Sequence, residues 1–316
     1  MKKKKKIYCP HLWNNIFIDQ VGNVYCCEYS YSYFLKKNIL GNIYDKKLKD
    51  IYCNKILSKL RKKLLDGKLK CFNNCAFLNK NKIGNTKKEV KIDYHKLKKL
   101  VIRFGESCNL NCIMCFLDSK KKKCLDYKKI IENVDLSPFE VIEIEGGEPL
   151  YMESVKKFFD YAASKDKKIS FLTNGTLIND VWADKIALNS SYICFSLNAA
   201  TKKTHELINK GSKWNLVLKN IQMVRKAKKK YNSNVKIIAH MTLVKENIKE
   251  IPLFIKKFKT FGVDSIEWGF DISAYLYLKK HEKEKEKLKN KIKRLLYEYK
   301  SKNDIDLSKL KLLSLV

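Results

Sequence analysis

GESCNLNCIMCF, residues 105–116, follows directly on the apolar run LVIRF (100–104) and sets Cys108, Cys112 and Cys115 in a C-x3-C-x2-C arrangement. A loop of that size wraps three thiolates around one face of a 4Fe-4S cubane and leaves the fourth iron without a protein ligand. An iron left open in this way is a catalytic position. Three buried thiols or a zinc ion are the competing readings. Zinc takes four protein ligands, or three plus water, commonly with histidine, and no histidine lies near this loop.

Around the loop the chain alternates short β-rich runs with longer helical stretches. The runs are LVIRF (100–104), EVIEIE (140–145), KISFLT (168–173), SYICFSL (191–197), VKIIAHMTL (235–243) and DSIEWGF (264–270). Repeated β-α units argue for a parallel sheet, open or curled into a partial (β/α)6 TIM-like barrel. Ligands of such sheets bind at the carboxyl ends of the strands, where the cysteine triplet falls. The second run ends in Gly146, Gly147, Glu148 and Pro149, about 30 residues past the triplet. Its glycines let a backbone approach a ligand closely, and its carboxylate can accept from an ammonium group.

CNLNCIMC followed by GGEP resembles the signature of the radical S-adenosylmethionine (SAM) superfamily, with Met114 where many members carry an aromatic residue. The resemblance implies that a 4Fe-4S cluster on Cys108, Cys112 and Cys115 reductively cleaves SAM, and that a 5′-deoxyadenosyl radical then takes hydrogen from a substrate. It also implies a reductant such as flavodoxin or ferredoxin. Glu148 and the neighbouring backbone are expected to hold the SAM amino group. FLTNGT and FSLNAA place Thr173, Asn174, Ser196 and Asn198 on the same rim, where hydroxyls and amides suit a ribose diol and the SAM carboxylate. Ordinary turn and capping chemistry is the alternative for each. Val244, after the fifth run, is the expected adenine contact. Glu143, Glu145, His240, Glu267 and Asp271 lie on or near strands, and none is assigned as a catalytic base.

Upstream, Ile16 to Cys27 reads as a hairpin turning at Gln20-Val21-Gly22-Asn23, followed by helical segments over 45–54 and 55–66 with Gly67 as a stop. Cys9, Cys27, Cys71 and Cys75 bring four thiolates from separated segments, enough to satisfy every iron of a second cubane; zinc suits the same set. Strand alternation lets only one of Cys26 and Cys27 serve. The segment resembles the twitch or SPASM type of auxiliary-cluster domain. Cys53, Cys124 and Cys194 have no partner spacing and read as small core fillers. The expected organisation is a small α+β iron–sulfur domain (1–80), a linker (81–98) overlapping the polar stretch 79–91, the barrel (99–278), and a C-terminal amphipathic helix and tail (279–316). In that helix Leu288, Ile292, Leu295 and Leu296 would cover the barrel.

Hydrophobic residues at 45 % place the chain among globular proteins rather than disordered ones. The net charge of +34 would suit a nucleic-acid partner, but arginine, the residue for base readout and phosphate clamps, occurs only at Arg61, Arg103, Arg225 and Arg294. Nucleic acid is therefore disfavoured, and a peptide or small-molecule substrate is expected. Cys-Pro-His interrupts the N-terminus where an export signal needs an apolar stretch, and no apolar run reaches membrane-spanning length. A cytoplasmic enzyme is the reading, with a non-catalytic, zinc-stapled nucleic-acid-binding protein as its alternative.

Overall fold

The computed structural model describes residues 9, 11–28, 39–66, 68, 93–121, 123–299 and 304–316. Cys71, Cys75, Gly67 and the polar stretch 79–91 lie outside them. All the strands expected after residue 99 form, with ends within one residue of the sequence reading: β4 (Lys99–Arg103), β5 (Val141–Glu145), β6 (Ile169–Thr173), β7 (Tyr192–Ser196), β8 (Lys236–Leu243) and β9 (Ser265–Phe270). The chain is α/β with parallel strands. Side chains at the strand-to-helix turns start several helices. Asp126 accepts from Lys128 N, Asn179 from Trp182 N, Thr201 from Thr204 N and Asp271 from Ser273 N. Each satisfies an N–H that the first helical turn leaves without a partner.

Two compact units are distinguished. The first comprises the described residues of Met1–Glu106, Lys122–Gly146 and Met152–Ile169, the second those of Ser107–Lys121, Gly147–Tyr151 and Ser170–Val316.

In the first unit the N-terminal hairpin forms as β1 (Asn15–Ile18) and β2 (Asn23–Tyr25), paired antiparallel with Phe17 opposite Tyr25. Asp19 builds the turn by accepting from the N–H groups of Val21 and Asn23. The hairpin does not make a sheet of its own. β1 lies parallel to β4, with Phe17 beside Val101, and β4 lies parallel to β5. The short β3 (Gly41–Asn42) adds to β2. Gly146, just past β5, has φ +134°, and a Cβ there would stand 2.3 Å from the Gly105 carbonyl oxygen. Only glycine allows this approach of the two strand ends.

Helix Lys55–Leu65 starts on the Asn54 side chain, which accepts from Ile56 N and Leu57 N, and buries Leu57, Leu60 and Leu64. It also buries Arg61, 1 % exposed. The guanidinium donates to the Leu12 carbonyl and the Tyr52 hydroxyl, both at 2.8 Å, and lies 5.2 Å from the centre of the Trp13 ring. One cation thereby joins this helix to helices His11–Asn14 and Leu48–Tyr52. Cys53, expected as a core filler, is exposed because it caps the end of Leu48–Tyr52, while Cys194 is buried as expected.

In the second unit β6 to β9 follow one another in parallel. Ile193, Phe195, Ala239, Met241, Ile266 and Trp268 form one fully buried face. Helix Glu282–Glu298 buries Ile292 completely and packs on helix Ile251–Lys257, while Leu288, Leu295 and Leu296 are half-buried. Among the described residues no helix is long and apolar enough to cross a membrane.

Arg61→Ala leaves the Leu12 carbonyl without its donor and removes the packing of the guanidinium stem. It is expected to lower unfolding free energy by about 2–3 kcal/mol, read from denaturant midpoints.

Candidate active site

The three cysteines of the loop lie within the 107–121 segment of the second unit. Backbone bonds dock this segment on the turn before helix Trp214–Lys230: Asn111 N donates to the Lys210 carbonyl and Ile113 N to the Ile208 carbonyl, both at 3.0 Å. Cys108 N donates to the Ser119 carbonyl, and Cys115 N to the Cys112 carbonyl. The loop thus coils back on itself. The Cys112 thiol is pushed up to about 12, first by burial and then by the charges that Cys108 and Cys115 would carry. The three cysteines share one short loop, so each thiol feels the charge the others would carry. Burial likewise raises Cys108, against hydrogen bonds from Leu110 N and the Asn174 amide. Buried thiols such as Cys108 and Cys112 carry negative charge together only when a cation compensates them, and iron bound by thiolates does so. The donor set fits a cubane.

Glu148 is 1 % exposed. Its carboxylate accepts from Asn174 N at 2.7 Å, the Thr173 hydroxyl at 2.8 Å and Leu150 N at 3.1 Å, while its own N–H donates to the Ser107 carbonyl. One residue therefore links the end of β6 to the residue that precedes Cys108. Desolvation raises its pKa to about 7, more than these three donors lower it. Asn174 extends the link, donating to Asn109 Oδ1 at 2.9 Å and to the Cys108 sulfur at 3.8 Å. Asn109 in turn donates to the Thr176 hydroxyl, which donates to Asn174 Oδ1. Asn109 and Thr176 carry no signal in the sequence beyond lying next to the motifs.

The remaining expected cofactor residues divide by exposure. Gly147 and Ser196 are half-buried, at the ends of β5 and β7. Thr173, Asn198 and Val244 are buried, at 1 %, 2 % and 2 % exposure. Asn198 has φ +56° and uses its polar atoms within the fold. Its N–H donates to the His240 carbonyl, its amide to Asn209 Oδ1, and its side-chain oxygen accepts from Thr242 N. The turn-and-capping alternative describes Asn198 in this structure. Val244 N donates to Asn247 Oδ1, so that backbone donor is already engaged.

Among the five strand-borne acids and histidine, Glu143 pairs with Lys99 at 2.6 Å, Glu145 with Arg103 at 3.1 Å, and Asp271 caps a helix. His240 and Glu267 pair with each other. Of the N-terminal cysteines, Cys9 and Cys26 are buried and Cys27 is half-buried.

Glu148 titrates higher in the folded chain, at about 7, than its ordinary 4.5. The folded state therefore holds the proton longer, and stability is greatest below pH 4.5 and falls as pH rises through 7. Glu148→Gln is expected to remove a fall on the order of 3 kcal/mol across this window, read by denaturant unfolding from pH 4 to 8.

Comparison with known proteins yields two family models. The radical SAM superfamily model matches residues 102–258, and the SPASM model, an iron–sulfur cluster-binding domain, matches residues 9–89. The chain is 26 % identical over 188 residues to a cysteine-type anaerobic sulfatase-maturating enzyme of Clostridium novyi, covering 51 % of this chain and 48 % of that protein. It is 24 % identical over 170 residues to an Fe-coproporphyrin III synthase of Methanosarcina barkeri, covering 51 % and 41 %. Among solved structures, Streptococcus suis SuiB bound to its precursor peptide SuiA matches with a TM-score of 0.46 at 16 % identity, over 68 % of this chain and 52 % of that one. The chain spans under half the length of these curated relatives. With both models in chain order, and a cysteine loop whose donors suit a 4Fe-4S cluster, the chain belongs to the radical SAM superfamily and carries its SPASM domain on the N-terminal side.

Proposed function

We propose that the chain is a radical SAM maturase that takes a hydrogen atom from a peptide or protein side chain, with a sugar-like alcohol as the second substrate class. The observation that carries the reading is the C-x3-C-x2-C loop tied to the buried Glu148 through Asn174, whose amide reaches the Cys108 sulfur while its N–H serves the carboxylate. Support for a peptide comes from the relatives, which include the sulfatase-maturating enzyme and a structure bound to a precursor peptide.

When bound, the cluster supplies the electron that cleaves SAM, and the carbon radical so formed removes hydrogen from the substrate. Cys108, Cys112 and Cys115 would hold the cluster, and the chemistry it would supply is one-electron reduction of SAM. Asn174 donates to the Cys108 sulfur, which disperses thiolate charge and raises the potential of whatever that sulfur binds. Glu148 orients Thr173 and Asn174 rather than facing solvent, so it acts on SAM through the backbone it positions. Gly146 and Gly147 keep that backbone free of side chains. Ser196, half-buried, is the rim hydroxyl best placed to meet a ribose or carboxylate. Thr173, Asn198 and Val244, buried, are proposed to support the cofactor site through the backbone they hold. Cys9, Cys27, Cys71 and Cys75 are the ligands proposed for the auxiliary cluster, which would take the electron left on an oxidised substrate. A flavodoxin or ferredoxin is the proposed source of the first electron.

Anaerobic reconstitution with iron and sulfide, followed by dithionite and SAM, is expected to yield 5′-deoxyadenosine. Cys112→Ala is expected to abolish it. About eight irons per chain, falling to about four in Cys108→Ala/Cys112→Ala/Cys115→Ala, would match two cubanes. A parent chain that retains zinc and forms no 5′-deoxyadenosine would overturn the enzyme reading.

A further inference from the structure

Cys194 on β7, His240 on β8 and Glu267 on β9 come from strands far apart in sequence, and the parallel register brings them together. Ser196 stands beside His240, and His240 beside Glu267; Cys194 lies two residues before Ser196 and so points to the same side of the sheet. That side is opposite the buried face of Ile193, Phe195, Ala239, Met241, Ile266 and Trp268. The Cys194 thiol donates to Glu267 Oε1 at 3.3 Å, and His240 Nδ1 lies 3.0 Å from the same oxygen. Sulfur, nitrogen and oxygen all lie within 4.8 Å of one another.

We propose that Cys194, His240 and Glu267 form a mononuclear site for a borderline-soft divalent ion of the Zn2+ class, separate from both iron–sulfur sites. Ligands at Zn–S of about 2.3 Å and Zn–N or Zn–O of about 2.1 Å stand roughly 3.4–3.6 Å apart at tetrahedral angles. The separations from Glu267 Oε1 would open by about 0.3–0.4 Å to admit the ion, and the sulfur–nitrogen separation, within 4.8 Å, would settle near about 3.6 Å. The ligand types suit it as well, since a thiolate, an imidazole and a carboxylate together exclude Mg2+ and Ca2+, which prefer oxygen alone.

The surroundings hold the histidine in the orientation a ligand needs. His240 Nε2 is 3.2 Å from the Thr242 hydroxyl, a contact that fixes the ring and leaves Nδ1 toward Glu267. Gly269 makes room for the ring, because a Cβ there would stand 2.9 Å from Nε2. The Glu267 side chain is 40 % exposed, against 17 % for His240. The fourth coordination position therefore lies toward solvent on the carboxylate side, where a sulfur, nitrogen or carboxylate of a substrate could complete the shell.

The test uses the full chain with its iron–sulfur clusters reconstituted, dialysed against chelator-buffered Zn2+. The expected result is one zinc per chain with one sulfur and mixed nitrogen and oxygen neighbours in zinc-edge X-ray absorption. His240→Asn and Glu267→Gln are each expected to lose that zinc with iron content unchanged, and Cys194→Ser to lose its sulfur shell. Equal zinc in parent and variants, a shell of four sulfurs, or no zinc retained by the parent would overturn the proposal. Because the parent's zinc shell is read directly, the test holds even if a variant fails to fold.

Discussion

Desolvation of one carboxylate sets the terms for the active-site loop. Glu148 sits where water does not reach, and it is tolerated there because three donors converge on it from two separate segments. The bonds made by this one residue fix the backbone at the end of β6 against the residues that lead into the cysteine loop. Asn174 depends on this arrangement in turn, since its main-chain N–H serves Glu148 while its side chain reaches Asn109 and the Cys108 sulfur. A neutral amide keeps the shape but turns one of two accepting oxygens into a donor that faces an N–H or hydroxyl. The setting of the Cys108 end of the loop thus rests on a side chain that bonds to no cysteine.

The fold is readable because each strand is a dense apolar run bounded by polar turns, and several of the helices are announced by a capping residue such as Asn179, Thr201 or Asp271. The cysteine triplet and the GGEP segment are readable because both are local spacings. What escapes is everything that depends on register between distant strands. Nothing in the sequence says that Cys194 stands beside Glu267, or that Asn198 gives its polar atoms to Thr242, Asn209 and His240. Thr173 reads as a rim hydroxyl because it ends a strand, yet it turns inward to Glu148. Burial of a strand-end side chain is decided by what approaches from elsewhere, which a single run of residues does not encode.

The lysine-rich charge finds an ordinary place in the structure. Lys98, Lys129, Lys156, Lys230 and Lys289 form ion pairs with carboxylates at half-exposed or exposed positions, where each contributes little to stability. The cation that matters to packing is an arginine, Arg61, whose planar fork satisfies a carbonyl and a hydroxyl at once while its face lies against Trp13.

The parallel pairing of β1 with β4 constrains the order in which the molecule is built. During synthesis β1 has its antiparallel partner β2 close behind it, but the partner on its other edge is not synthesised until residues 99–103 emerge. Until then one edge of β1 carries open backbone donors and acceptors, and a two-stranded hairpin is marginal in water. Cys9 and Cys27 flank that hairpin. Their thiols acquire a settled framework only after the polypeptide has passed through the whole SPASM segment and begun the radical SAM domain. The framework around Cys9 and Cys27 is thereby shared with the strand that opens the radical SAM segment, and a change in β4 that disturbs this pairing reaches both.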